Sequence, residues 1–230
     1  MQISLFPIVY FIANSISSIS AVDYQLKCDP GYRVSSISRS TTVYSPIGSL
    51  VIQCEKIAEP STVTCASPSI PLCNGQLEGC TGNSWLAGFD AYELDNSTQA
   101  AVLHPICCTS SEVRVDGSSC INDQLNTGAS KFHHSVTTDL TYRGFKCWHQ
   151  YNSEQKLVDF LWKVEICPLN SPIVEASNCD PCDCACGISH CPNGIAPIKV
   201  MHRQPSESCA CDCTCTFKCL INTPTVRLLF

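Results

Sequence analysis

Charge is scarce in this chain. Only 15% of its 230 residues are Asp, Glu, Lys or Arg, with 14 basic side chains against 20 acidic ones. The resulting net charge of −6 excludes the dense basic surface that nucleic acid and other polyanions require. Long apolar runs are scarce too. No stretch reaches the roughly 20 residues that cross a bilayer as a helix, so membrane insertion is not expected. Sustained helical periodicity is missing. So are the Gly-x-Ser-x-Gly elbow, the phosphate loop, the dinucleotide fingerprint and the His-Glu-x-x-His zinc motif, which leaves no positive sign of an enzyme or of a cofactor.

What the chain does have is cysteine, 20 in all. Its opening is uncharged and apolar as far as Ala13, then small and polar from Asn14 to Ala21. That pattern predicts a secretory signal peptide over residues 1–21, with the small-residue rule allowing cleavage after Ser20 or Ala21. Secretion places the cysteines where thiols oxidise, and an even number there implies a disulfide framework with no catalytic or metal-binding duty.

The cysteines fall into two zones. Cys28, Cys54, Cys65, Cys73, Cys80, Cys107, Cys108, Cys120, Cys147 and Cys167 are widely spaced, whereas Cys179, Cys182, Cys184, Cys186, Cys191, Cys209, Cys211, Cys213, Cys215 and Cys219 crowd the C-terminal part. The boundary predicts a β domain over residues 22–170 and a cysteine-dense module over 171–230.

A repeat runs through the first zone. Val34 to Arg39 alternates and returns through Ser49 to Cys54; Trp85 to Tyr92 returns through Ala101 to Cys107; Tyr142 to Trp148 returns through Leu157 to Cys167. In the last return segment Val158, Phe160, Trp162, Val164 and Ile166 share one face, with Asp159, Lys163 and Glu165 on the other, the period of two that marks a half-buried strand. Each unit reads as two strands around a polar loop, closed by a cysteine. The fold class expected is therefore all-β and disulfide-rich, with repeated hairpins in a pseudo-threefold prism or barrel.

The segments Cys28 to Ser40, Cys80 to Phe89, the vicinal Cys107-Cys108 and Asp159 to Cys167 resemble dermatopontin in order and spacing. Dermatopontins are small extracellular-matrix proteins whose three repeats end in an Asp-Arg-x-Trp segment and a cysteine. The resemblance spans residues 28–167 and implies a matrix scaffold. Only the third unit keeps Asp159 and Trp162, and Phe160 replaces the basic residue between them. The family's acidic tyrosine-rich stretches are absent, so a tyrosine-sulfate or proteoglycan role does not carry over. The chain is also similar to the cysteine-rich secreted proteins that nematodes encode in number.

In the second zone Cys182, Cys184 and Cys186 would share a face in an extended chain, as would Cys209, Cys211, Cys213 and Cys215. Two such strands, turning at Pro192 to Gly194, predict a hairpin laddered by disulfides. The rival is a thiolate metal cluster, with His190 and His202 as nitrogen ligands. Oxidation outside the cell favours the bridges. Thiol–disulfide exchange at Cys179 and Cys182 is disfavoured, because Asp180 and Asp183 raise a neighbouring thiol's pKa. Vicinal Cys107 and Cys108 are expected to take separate partners.

Among other candidates, His133-His134 reads as solvated loop, Trp85 and Trp162 as core, and Trp148 as the aromatic nearer the surface. Asn96 begins the chain's one N-glycosylation sequon, in the polar loop of the second unit. Together these predict a non-enzymatic secreted structural or adhesion protein whose partner is an extracellular protein or glycan. The different-class alternative is a soluble lectin-like module. Intact mass of the secreted chain should show 20 hydrogens lost and no free thiol, with a further drop after glycosidase treatment; titratable thiols with stoichiometric metal would reverse the assignment.

Overall fold

The computed structural model describes residues 24–42, 45–93, 101–128, 131–173, 198–205 and 211–218. The strands there are β1 (Tyr24–Lys27), β2 (Tyr32–Thr42), β3 (Ser45–Lys56), β4 (Val63–Ala66) and β5 (Glu78–Gly79). They continue with β6 (Trp85–Glu93), β7 (Ala101–Ser110), β8 (Arg114–Val115), β9 (Ile121–Gln124) and β10 (Phe132–Ser135). The last are β11 (Leu140–Tyr151), β12 (Leu157–Asn170), β13 (Ile198–Pro205) and β14 (Cys211–Lys218). No helix among these residues is long and apolar enough to cross a membrane.

All three expected hairpins form, as β2–β3, β6–β7 and β11–β12. Each seeds its own sheet. The orders are β1-β6-β7-β4, β10-β2-β3-β13-β14 and β5-β11-β12-β8, with β9 also on β12. The hairpins share a defect as well as a shape. Register slips once near the start of each first strand, between Val34 and Ser36, Leu86 and Gly88, and Tyr142 and Phe145. A bulge there bends the strand and raises its twist. The three first strands β2, β6 and β11 touch one another pairwise, as a threefold arrangement requires.

Alternation decides which side chains fill the space between them. Val34 and Ile37 of β2, Ile52 of β3, Phe89 of β6, Leu103 of β7, Phe145 of β11 and Phe160, Trp162 and Val164 of β12 belong to one buried cluster. Within it Phe145 lies 5.1 Å edge-on from Trp162 and 6.5 Å from Phe89. A second cluster holds Trp85, Ala87, Cys108, Val113 and Cys167. Gly88 lets β1 approach the bulge of β6: its φ is +147° and a Cβ there would sit 2.2 Å from the carbonyl oxygen of Leu26.

The opposite face of β12 differs from the alternating pattern. Lys163 is exposed as expected, yet Asp159 and Glu165 are buried. Each is drawn inward by a guanidinium. Arg39 of β2 donates from Nη1 and Nη2 to the two oxygens of Asp159 at 3.1 and 2.7 Å, and Arg143 donates from Nε to Glu165 at 2.7 Å. Arg39 also reaches the carbonyl of Gly128 at 3.0 Å and lies 5.2 Å from the Phe132 ring centroid.

The expected hairpin of two cysteine strands rests in part on residues 179–194, which lie outside the described ones; its second strand is seen as β14. β14, which carries Cys211, Cys213 and Cys215, pairs antiparallel with the cysteine-free β13. β13 in turn pairs in parallel with β3. Apolar Ile198 and Val200 bury against the core, giving β13 a hydrophobic anchor that a Cys-x-Cys strand lacks. The half from Cys179 to Cys191, with His190, lies outside the described residues, as do Cys209 and Cys219.

Breaking one half of a buried bidentate pair leaves the other charge unsolvated. Asp159→Ala should therefore lower stability by about 3–5 kcal/mol. Denaturant unfolding followed by tryptophan fluorescence measures it, and a loss within experimental error would show that Arg39 finds other partners.

Candidate functional site

Where β8 meets the end of β12, the surface opens into a cleft of about 700 Å³. Its polar lining is Asn83, Arg114, Asp116, Asp139 and Asn170, and its apolar lining includes Val115 and Leu169. Asn83 is spent on structure: its Nδ2 donates to the carbonyl of Val113 and its Oδ1 accepts from the amide of Val115, both at 2.7 Å. Asp116 Oδ1 accepts from the hydroxyl of Ser118 at 2.6 Å and from its amide at 2.9 Å. Those bonds, the hydroxyl's first, hold the carboxyl below the ordinary aspartate range. Asp139 Oδ1 accepts from Thr137 Oγ1 at 2.5 Å. Arg114 forms no ion pair with either carboxylate. One cation, two partly occupied carboxylates and the Asn170 amide over an apolar floor can bind a polar ligand by hydrogen bonds.

The ten cysteines of the first zone pair as Cys28–Cys54, Cys65–Cys108, Cys73–Cys147, Cys80–Cys107 and Cys120–Cys167. Vicinal Cys107 and Cys108 take separate partners, because consecutive strand residues point to opposite faces. Cys213 and Cys215 are also disulfide-bonded. Cys120, Glu165 and Cys167 come within 4.8 Å of one another as a metal site would. Their two sulfurs are bonded to each other and offer no thiolate.

His133 and His134 do not lie in a loop. They sit on β10, paired with β2. His133 is exposed, while His134 bridges Tyr142 and Asp123: Nδ1 is 2.6 Å from the phenol oxygen and Nε2 is 3.1 Å from the carboxylate. Burial pushes the Tyr142 hydroxyl's pKa up, so the phenol keeps its proton. Trp85 and Trp162 are core, Trp85 donating its Nε1–H to the carbonyl of Tyr32 at 3.1 Å. Trp148 is half-buried, with Gly75 packed against its ring. Asn96 lies outside the described residues.

Sequence patterns missed a buried charge cluster at the seam of β2, β3 and β13. Fully buried Arg33 pairs with Glu55, which also receives Arg203 at 3.3 Å. Beside it, His202 Nε2 accepts from the backbone amide of Asp29 at 2.9 Å, and its ring meets Tyr32 edge-on at 5.1 Å. The visible signal was weak: His202-Arg203 interrupts an apolar run by charge. No protein-family model, curated protein or solved structure matches this chain.

His202 makes β13 docking sensitive to acid. Burial lowers its pKa below the ordinary histidine value, with the Asp29 carboxylate opposing. The folded ring therefore binds protons less readily than the unfolded one. Its contribution is fully present above the unfolded value of about 6.5, and is lost as pH falls through the folded pKa. Denaturant midpoints should drop from pH 7.5 toward pH 5 in the wild type and drop less in His202→Gln, whose amide oxygen can accept the same bond without titrating. Parallel curves for the two proteins would remove His202 as the cause.

Proposed function

We propose that this chain is a secreted, non-enzymatic structural or adhesion protein of the extracellular space, built on a dermatopontin-type scaffold. The observation that carries it is the bridging of all ten cysteines of the first zone within one three-hairpin domain. Such bridges form and persist in oxidising compartments, and reducing ones keep thiols free. The opening apolar segment supplies the route out of the cell, and Asn96 its glycan. A rigid shell of hairpins suits a protein that holds partners and does not process them. Three hairpins, each carrying a cysteine on its return strand, support the choice of such a scaffold.

The cleft between Arg114 and Asp139 favours a second reading, a soluble lectin-like module. Carboxylates and amides over an apolar floor match the hydroxyls and C–H faces of a sugar. The polar lining named above includes no aromatic platform, which places this reading second.

Two binding measurements on protein purified from culture medium separate them. Adhesion predicts saturable binding to immobilised extracellular-matrix protein and a blank glycan array. Saturable binding to one glycan class, weakened at least tenfold by Asp139→Ala, would establish the lectin reading instead. Retention of the chain in the cytosol, reduced and folded, would defeat both.

A further inference from the structure

The five described bridges are not equally reachable. Cys65 is the one exposed cysteine among their ten; Cys107 and Cys120 are half-buried, and the others are buried. The position of Cys65 adds to this access. It lies on β4, an edge strand of four residues that has a ladder partner on one side among the described residues. Three of those four residues are exposed. Its bridge crosses to Cys108, directly opposite in register on β7. Cys108 is 2% exposed and belongs to the second buried cluster. The bridge thus joins an exposed residue at the sheet edge to a buried one on its neighbour strand.

From this asymmetry we propose that Cys65–Cys108 is an exchangeable bridge, and that Cys65 is where the folded domain takes up an external thiol. A thiolate reaches only the sulfur it can approach, so attack falls on Cys65 Sγ. A new S–S bond forms between the incoming sulfur and Cys65 as the Cys65–Cys108 bond breaks. Cys108 leaves as a thiolate and takes a proton from solvent. One disulfide is consumed and one is made, so no oxidant or reductant is needed beyond the thiol itself. Because β4 keeps its four residue pairs with β7, Cys108 stays opposite Cys65 and expels the adduct when the external thiol is withdrawn. The ligand class is a thiol, either a small one or the cysteine of a neighbouring protein. Neither the adhesion reading nor the lectin reading is required.

Full-length native protein is incubated with cysteamine, and in a second arm with a single-cysteine peptide. Exchange is quenched by acid, free thiols are blocked with N-ethylmaleimide, and peptides are mapped without reduction. The expected result is the cysteamine adduct on Cys65 with the maleimide on Cys108, while the other four bridges stay intact. Each cysteine is scored on its own peptide, so exchange at exposed Cys213 or Cys215 does not enter the comparison. Uptake of the peptide as well assigns a protein thiol as a competent partner; uptake of cysteamine alone assigns a small one. Adduct appearing first at Cys80, Cys107, Cys120 or Cys167 overturns the proposal, as does an adduct on Cys108 in place of Cys65. Absence of any adduct on Cys65 until the protein unfolds overturns it too. The double variant Cys65→Ser with Cys108→Ala should lose uptake over residues 24–173 while its remaining bridges form. Unchanged uptake there has the same overturning force, and if the variant does not fold the wild-type map still decides.

Discussion

Closure of the hairpin roots is the constraint on which the rest of this structure depends. A β-hairpin alone is at best marginally stable in water, and its strands separate most easily where they are farthest from the turn. Here a cysteine ahead of each first strand bonds to the return strand: Cys28 to Cys54, Cys80 to Cys107 and Cys120 to Cys167. The loops so closed are 26, 27 and 47 residues long. In the loop-entropy treatment each closure contributes about 3–4 kcal/mol by restricting the unfolded chain, and the contributions do not simply add. With roots held, the bulge near the start of each first strand can bend it toward the common centre without unzipping the pair. The bridges therefore work together with an apolar interior of Phe89, Phe145, Phe160 and Trp162, and do not replace one.

Buried charge then decides how the hairpins meet. Apolar contacts are non-directional and would tolerate small slips between units. Arg39 to Asp159 tolerates few, because both carboxylate oxygens must meet the guanidinium fork. It links the first hairpin to the third. Arg33, Glu55 and Arg203 do the same for β13, which has no turn connecting it to β3 and must find its parallel register through side chains. Such clusters cost desolvation energy, and their value lies in selecting one arrangement.

The polar cleft follows from the same economy. It opens where β8 adds only two residues to the end of β12, so the sheet stops short and leaves Arg114, Asp116 and Asp139 around a gap. Margins of this kind are where the scaffold offers its chemistry. The exposed edge strand β4 is another margin, and there the exposed residue is a disulfide-bonded cysteine.

By itself the sequence determined the all-β class, the three hairpins and the core roles of Trp85 and Trp162. Alternation and cysteine spacing are local properties, and a period of two reads directly as a strand. The separate partners of Cys107 and Cys108 were also legible, since neighbours on a strand point apart. Only the tertiary structure decided that Asp159 and Glu165 turn inward, that Cys147 crosses to Cys73, that His134 joins Tyr142 to Asp123, and that β14 pairs with β13. The physical reason is common to all four. Each is settled by which strand or side chain comes to lie alongside, and a strand's pattern records which face a residue occupies but not what will be waiting on that side.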